Sequence, residues 1–246
     1  MKYVFDVAFL PSEKLKEHEV RIVVDLLRAS TQITTFFDCG GSVLLPVKEL
    51  KEAADLRDKL SGDWKVMGER GGVKPEDFDF GNSPVELMQS GAPDNAIITT
   101  SNGTNAILSA VSGCERVVVG CARNAESVCW DAICSGKNIG IICAGQNGEF
   151  SLEDSVCAGM MIEKLLALAP SNGADEMELT DGGMSALALW HSMGPCISEV
   201  CSQSAHGKTL SELGFDNDIF FCGEIDESST VPLLTEKYGM YAIIGR

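Results

Sequence analysis

Residues 20–47, V-R-I-V-V-D-L-L-R-A-S-T-Q-I-T-T-F-F-D-C-G-G-S-V-L-L-P-V, hold the pattern that decides the fold. An apolar run over 20–25 ends in the polar loop L-L-R-A-S, and residues 31–38 follow with spacing compatible with a helix. The sequence C-G-G breaks that helix before a second apolar run at 43–47. This order is typical of a β-α-β unit with parallel strands and a right-handed crossover.

The same order of elements recurs further along the chain. Residues 96–99 form an apolar run that ends in the loop T-S-N-G-T, residues 105–112 suit a helix, and residues 117–119 are apolar again. Few residues are identical between the two copies, so the match is one of pattern. It predicts an internal duplication in which residues 20–60 superpose on residues 94–134.

The predicted organisation is one α/β domain over residues 1–246, a layered α/β/α structure with a mainly parallel sheet. Two duplicated βαβαβ halves, at about 20–90 and 94–170, build it, and a C-terminal part follows at 171–246. Strands are also predicted in that last part, at residues 218–222, 231–234 and 238–244.

The charge of the chain argues against several classes of partner. Its 246 residues carry a net charge of -17, which disfavours a surface for nucleic acid or anionic membrane. No stretch approaches the roughly 18 uninterrupted apolar residues of a membrane helix, and Asp6 interrupts the first apolar run, so no secretion signal is predicted. The ten cysteines include no C-x-x-C pair, which is typical of reduced thiols. Together these features predict a cytoplasmic protein.

Polar loops follow four of the predicted strands. In parallel α/β sheets, ligands bind at the carboxyl ends of the strands, where loops lead into helices. Loops rich in Gly, Asn and Thr at helix starts offer free backbone N–H groups and a positive dipole end, which suit an anion. The four loops carry, in order, Asp25 and Arg28, then Glu69 and Arg70, then Asn102, Gly103 and Thr104, and finally a segment that starts at Gly145.

Each candidate also has a purely structural explanation. Asp25 could cap the turn after its strand, and arginines in loops usually lie on the surface. In G-N-S-P-V-E, Ser83 is placed as the N-cap of a helix, although Asn82 beside it could present its amide to a ligand. Ser151 is the predicted N-cap of another helix, and Asp154 in its first turn would favour the helix dipole.

Five sequence blocks, in order along most of the chain, resemble the 2-phosphosulfolactate phosphatase family. They are V-V-D-L-L-R-A-S-T (23–31), G-E-R-G-G…F-G-N-S-P-V-E (68–86), T-T-S-N-G-T-N-A (99–106), C-A-G-Q-N-G-E-F-S-L-E-D (143–154) and D-I-F-F-C…V-P-L-L (218–234). Residues 170–203 match least. Members of this family hydrolyse 2-phosphosulfolactate to sulfolactate and phosphate with Mg²⁺, a step towards coenzyme M in methanogens.

The resemblance therefore implies a Mg²⁺-dependent phosphatase with a defined set of residues. Mg²⁺ prefers oxygen ligands, and arginine binds phosphate or sulfonate oxygens. Whether Asp25 attacks phosphorus or only holds metal and water stays open. The predicted residues are Asp25, Arg28, Glu69 and Arg70 for catalysis, Asn82, Ser83, Asn102, Gly103 and Thr104 for substrate binding, and Asp25, Glu69 and Asp154 as metal ligands.

Two other functions remain as alternatives. The first is a phosphatase for another small 2-phospho acid, and the second is a non-catalytic anion-binding protein. The predicted partner is a small anionic phosphate ester, neither nucleic acid nor membrane is expected, and a homodimer is left open. A nucleotide site is disfavoured because the sequence holds no G-x-x-x-x-G-K-[ST] motif.

Overall fold

The computed structural model describes residues 1–13, 16–193 and 196–246, which form a ten-stranded sheet and ten α-helices. The strands are β1 (Lys2–Ala8), β2 (His18–Val24), β3 (Val43–Pro46), β4 (Lys65–Gly68), β5 (Asn95–Thr99), β6 (Cys114–Gly120), β7 (Asn138–Cys143), β8 (Glu176–Leu179), β9 (Leu233–Lys237) and β10 (Met240–Ile244). The helices are α1 (Ala29–Asp38), α2 (Leu50–Lys59), α3 (Pro84–Ser90), α4 (Gly103–Ser109), α5 (Ala125–Ser135), α6 (Leu152–Leu168), α7 (Asp181–Met193), α8 (Ile197–Gln203), α9 (Ala205–Glu212) and α10 (Asp216–Cys222).

The sheet consists of two parallel groups joined by a hairpin. Its strand order is β4-β5-β3-β10-β9-β6-β2-β7-β1-β8. Strands β4, β5 and β3 pair in parallel, and so do β6, β2, β7, β1 and β8. The β9–β10 hairpin lies between the groups and is antiparallel to both neighbours. The predicted α/β class with a mainly parallel sheet is confirmed.

The two predicted halves interleave in the sheet. The first strand of each half lies between the second and third strands of the other, since β2 lies between β6 and β7, and β5 lies between β3 and β4. Helix α1 therefore connects two strands, β2 and β3, that belong to different parallel groups and do not pair. The superposition of the two halves stays a prediction.

One of the predicted strands is a helix in the structure. Residues 218–222 lie in α10, and the prediction of a strand there was wrong. Asp218, Ile219 and Cys222 are buried, a spacing that puts all three on one side of a helix, whereas Phe220 is 62% exposed. Asp216 and Asp218 lie in the first turn, where acidic side chains favour the helix dipole.

The other two strands predicted in the C-terminal part are present, with slightly different bounds. Residues 231–234 overlap β9, and residues 238–244 overlap β10. Tyr238 and Gly239 connect them with positive φ angles of 55° and 74°. A two-residue loop with both residues at positive φ matches the twist of a hairpin.

The core lies on both faces of the sheet. Val20, Ile22 and Val24 of β2 pack with helices α5 and α6 on one face, and α7 packs on β1 in the same cluster. Val23 points to the opposite face, where α1 and α4 pack. Successive side chains of a strand point to opposite sides, so the consecutive apolar residues Ile22, Val23 and Val24 are what a strand buried on both faces requires. Helices on both faces confirm the layered α/β/α arrangement.

The cysteines are reduced, as their spacing in the sequence predicts. All ten cysteines are free thiols, and most of them are buried. None of the helices in the described ranges combines the length and apolar character needed to cross a bilayer.

Candidate active site

Four loops meet around a cavity of about 190 Å³. The loop after β2 contributes Asp25 and Arg28, and the loop after β4 contributes Glu69. Asn102 comes from the loop after β5, and Asn147 comes from the loop after β7. The backbone N–H of Asn147 donates to Oδ1 of Asn102 at 3.0 Å, which joins two of these loops directly. The structure thus brings together the four loops that the sequence placed at strand ends.

Asp25 combines a structural contact with an available oxygen. Its side chain is buried, and its Oδ1 accepts a hydrogen bond from the N–H of Ala29 at 3.2 Å, at the start of α1. Its Oδ2 accepts no hydrogen bond from the part of the chain that the structure describes. Burial raises the pKa of Asp25 to about 7, and the negative charges of Glu69 and Glu153 add to this effect. Asp25 therefore caps a turn and also offers a carboxylate oxygen to the cavity.

Glu69 is the second carboxylate of the cavity. Its Oε2 accepts from the N–H of Gly72 at 2.7 Å and from the hydroxyl of Ser101 at 3.2 Å. Its Oε1 accepts from the N–H of Ser101 at 2.7 Å. These contacts fix the carboxylate between the loops after β4 and β5. Three hydrogen bonds from two loops leave the carboxylate little freedom to turn.

Asp154 lies beneath the loops and does not line the cavity. Its Oδ1 accepts from the N–H of Leu26 at 2.8 Å, and its Oδ2 accepts from the N–H of Gly145 at 3.2 Å. Burial raises the pKa of Asp154 well above its usual range, and the charges of Asp25 and Glu153 raise it further. Asp154 ties the loop after β2 to the loop after β7. The hydroxyl of Ser151 accepts from its N–H, so the predicted N-cap is confirmed.

The three carboxylates predicted as metal ligands are not assembled as a metal site. Nowhere in residues 1–13, 16–193 and 196–246 do three or more His, Cys, Asp or Glu side chains form a group that could hold a metal ion. The physical reason is that both oxygens of Asp154 are turned towards backbone amides. Asp25 and Glu69 still line one cavity, and a Mg²⁺ ion typically takes one or two carboxylates, with waters and substrate oxygens as its other ligands. The remaining pair fits that requirement.

Arg28 lines the cavity, and both of its terminal nitrogens donate hydrogen bonds to the protein. Its Nη1 donates to Oδ2 of Asp218 at 2.7 Å, and its Nη2 donates to the carbonyl of Gly72 at 2.7 Å. The guanidinium carbon lies 4.1 Å from the centre of the Phe215 ring. The side chains of Arg28 and Asp218 are each only 2% exposed. Helix α10 and its preceding loop therefore hold this arginine.

Arg70 points away from the cavity, contrary to the prediction. Its Nη1 donates to its neighbour's carbonyl at Glu69, and its Nη2 donates to the carbonyl of Lys48 and to the hydroxyl of Thr99. It lines a separate surface groove beside α2. The backbone alternates direction along an extended segment, so two adjacent side chains, Glu69 and Arg70, point to opposite sides.

Asn82 and Ser83 have different environments although they are adjacent. Asn82 lines the cavity, is 4% exposed, and its Oδ1 has no hydrogen-bond partner among the described residues. The hydroxyl of Ser83 accepts from the N–H of Glu86 at 3.1 Å and donates to Asp218 at 2.8 Å. The predicted N-cap at Ser83 is confirmed, and the structure does not place its hydroxyl in the cavity.

Gly103 and Thr104, predicted to bind substrate, serve the packing of α4. A Cβ atom at Gly103 would lie 2.7 Å from Oδ2 of Asp25 and 2.5 Å from Cβ of Ala29, so only glycine lets α4 approach the Asp25 loop. The N–H of Thr104 donates to the hydroxyl of Thr100, and the hydroxyl of Thr104 donates to the carbonyl of Thr100. Both lie outside the cavity lining.

Several residues of this site were not predicted from the sequence, and two of them, His206 and Asp218, come from the C-terminal helices. His206 of α9 lines the cavity, and Asp218 of α10 binds Arg28. His206 carried no local signal beyond being one of three histidines. Asp218 did carry a local signal, because it lies next to the apolar run I-F-F-C. An acidic residue that is buried with such a run needs a cationic or hydrogen-bonding partner.

Comparison with known proteins places the chain among phosphatases. A family model described as "2-phosphosulpholactate phosphatase" matches residues 6–237. Proteins named "Probable 2-phosphosulfolactate phosphatase" are similar over most of their length. The one from Pseudothermotoga lettingae is 33% identical over 95% of this chain and 96% of its own. The one from Caldanaerobacter subterraneus subsp. tengcongensis is 36% identical over 89% of each chain, and that of Deinococcus radiodurans is 34% identical over 88% of each.

Proposed function

Because this chain belongs to the 2-phosphosulfolactate phosphatase family, we propose that it hydrolyses 2-phosphosulfolactate to sulfolactate and phosphate with the help of Mg²⁺. The observation that carries the proposal is the cavity at the strand ends, where Asp25 and Glu69 meet amide side chains of neighbouring loops. With that substrate, the enzyme would take part in a route towards coenzyme M where one exists.

Asp25 and Glu69 would hold the metal ion. Mg²⁺, when bound, supplies positive charge to the phosphate oxygens and lowers the cost of the charge that develops there. The two carboxylates come from different loops, and Glu69 is fixed by three hydrogen bonds. Asp25 has an unengaged Oδ2 and a pKa of about 7, raised mainly by burial, so a cation that neutralises this oxygen would relieve the cost of burying its charge.

The amide side chains around the cavity would position the substrate. Asn102 keeps its Nδ2 group for a ligand, because its Oδ1 accepts from the backbone of Asn147. Asn82 has a buried amide oxygen that lacks a partner in the described part of the chain, and as an acceptor it would take a hydrogen bond from a water molecule rather than from the anionic groups of the substrate. Phosphoryl transfer depends mainly on positioning and charge neutralisation, which this cavity can provide.

The test is phosphate release from 2-phosphosulfolactate by the purified protein, with Mg²⁺ and with an excess of EDTA. We expect turnover with Mg²⁺ and none with EDTA, while the circular dichroism spectrum stays unchanged because the site lies in surface loops. The variant Asp58→Asn removes an exposed carboxylate of α2, and we expect it to behave as the wild type does with Mg²⁺ and with EDTA. Full turnover in EDTA would contradict the metal dependence.

A panel of other 2-phospho acids, assayed in parallel, separates the proposed substrate from its alternative. A higher kcat/KM for an ester without the sulfonate would favour the alternative, a phosphatase for another small 2-phospho acid. A protein that binds phosphate and releases none from any ester would be a non-catalytic anion-binding protein.

A cytoplasmic location and a homodimer are further proposals. The net charge of -17 and the free cysteines support the first. Cell fractionation and light scattering of the purified protein test the two, and recovery in a membrane or secreted fraction or a monomer mass would contradict them.

A further inference from the structure

The cavity has little positive charge of its own. Among the described residues that line it, Arg28 is the one with a permanent positive charge, and the carboxylates of Asp25 and Glu69 lie in the same lining. His206 adds none at neutral pH, because burial and the charge of Arg28 lower its pKa further below 7. A phosphate ester with further acidic groups would thus enter a site that already holds two carboxylates.

The charge of Arg28 is cancelled within the protein. Oδ2 of Asp218 accepts from its Nη1 at 2.7 Å, and neither side chain is more than 2% exposed. Water screens a pair this deeply buried only weakly, so the carboxylate reduces the field that Arg28 projects into the cavity. The arginine can still donate hydrogen bonds, but its attraction for a free anion is small.

Asp218 is itself fixed in place. Its Oδ1 accepts from the hydroxyl of Ser83 at 2.8 Å and from the N–H of Val85 at 3.2 Å. Both donors lie at the start of α3, so this carboxylate cannot swing away from Arg28 when a ligand arrives without losing two hydrogen bonds. The cancellation is a permanent property of the fold.

We propose that Asp218 is a positioning residue that cancels the charge of Arg28 and so makes the binding of phosphate groups depend on a divalent cation. Glu69, and Asp25 where it is ionised, repel an anion, and with Arg28 compensated no side chain of the described lining offsets that repulsion. The cation then has to bind before the phosphate group or together with it. This inference rests on the proposed function in taking the ligand to be a phosphate ester and in taking Asp25 and Glu69 to bind Mg²⁺.

A specific advantage follows from this arrangement. A site that bound free anions would be occupied by phosphate and carboxylic acids in the absence of metal, and such complexes would be unproductive. Placing a carboxylate against the one cavity arginine disfavours them, which is selection against a wrong ligand rather than for the right one.

The experiment measures the affinity of inorganic phosphate by isothermal titration calorimetry, with Mg²⁺ and with EDTA. For the wild-type protein we expect binding with Mg²⁺ and a loss of at least about tenfold in affinity in EDTA, the range of a charged hydrogen bond. For Asp218→Asn we expect phosphate binding in EDTA to become at least about tenfold tighter than in the wild type, since the charge of Arg28 is then no longer compensated. Asp218→Glu keeps the charge and should keep the metal requirement.

Asp131→Asn is the matched control. It breaks another arginine–aspartate pair, in which Arg116 donates to Asp131 at 2.8 and 2.9 Å, on β6 and α5 outside the cavity lining. We expect its phosphate affinity to match that of the wild type in both conditions. An equal gain in EDTA for Asp131→Asn and Asp218→Asn would overturn the proposal, because the effect would then be one of overall charge.

Wild-type protein alone also tests the inference if Asp218→Asn does not fold. Equal affinity for phosphate with Mg²⁺ and with EDTA would refute it, whatever the variants do. That result would leave the proposed function intact if 2-phosphosulfolactate is still hydrolysed. Conversely, absence of hydrolysis together with Mg²⁺-dependent phosphate binding, and with tighter binding by Asp218→Asn in EDTA, would reject the proposed substrate and retain the role of Asp218.

Discussion

Asp25 and Asp154 are two buried carboxylates under the same loops, and they differ in what their oxygens do. Both oxygens of Asp154 accept from backbone N–H groups, of Leu26 and Gly145. Asp25 uses one oxygen on Ala29 and keeps the other available beside the cavity. Burial raises the pKa of both, so a shifted pKa does not by itself distinguish a reactive carboxylate from a structural one. What distinguishes Asp25 is an oxygen that accepts no hydrogen bond from the described residues.

Replacing Asp25 by Asn is expected to have the largest effect on activity. The amide keeps an oxygen for Ala29 but removes the charge that would bind Mg²⁺ or act as nucleophile. We expect turnover to fall by about a hundredfold or more, with no loss of thermal stability, measured by phosphate release and by thermal unfolding. Wild-type turnover in a folded Asp25→Asn protein would place the catalytic centre on another loop.

Replacing Arg28 by Lys should cost about tenfold or more in kcat/KM. Lysine keeps the charge, but it cannot contact Asp218 and Gly72 at once with a planar group. Arg70→Lys is the control, because Arg70 binds carbonyls and a hydroxyl outside the cavity, and we expect it to stay within about threefold of the wild type. A loss for Arg70→Lys as large as that for Arg28→Lys would contradict the placement of Arg70 outside the site.

Replacing Asp154 by Asn should reduce stability more than it reduces activity. One oxygen of the amide can still accept from Leu26, but the NH₂ group would face the N–H of Gly145. We expect a lower melting temperature and a fall of less than about tenfold in turnover, since an unmet buried hydrogen bond costs about 1–3 kcal/mol. A loss of activity as large as that of Asp25→Asn, without a change in stability, would make Asp154 a direct participant.

The pH dependence of stability should also separate the wild type from Asp25→Asn. The pKa of Asp25 is higher in the folded protein, about 7, than in the unfolded chain, so the folded state binds the extra proton between about pH 4 and pH 7. Without metal, the wild type should therefore lose stability, relative to Asp25→Asn, as the pH rises through this interval. Denaturant unfolding in EDTA at pH 4.5 and pH 8 measures it, and an equal difference at both values would contradict the burial effect.

The fold could largely be predicted because buried strands and loops leave direct patterns in the sequence. The run V-R-I-V-V marked β2 because it is buried on both faces. The strand predicted at residues 218–222 was wrong because a short apolar run fits a strand or a buried helix equally well. The interleaving of the two halves could not be predicted, since local patterns state which strands exist and not which of them pair.

The candidate site was predictable at the level of loops more than of side chains. Asp25, Glu69 and Asn102 follow strands and line the cavity. The adjacent residue Arg70 shares the same loop signal, and only the direction of its side chain excludes it. His206 comes from a helix remote in sequence, so its place in the lining depends on tertiary packing that no local pattern records.

The position of the β9–β10 hairpin has a consequence for synthesis of the protein. These two strands follow all the others in the sequence, yet they occupy the middle of the sheet. While the ribosome is still making them, β3 and β6 each present an unpaired edge that other chains could join. The nascent chain must therefore keep two part-sheets from aggregating until the hairpin emerges, and this final addition connects them into one.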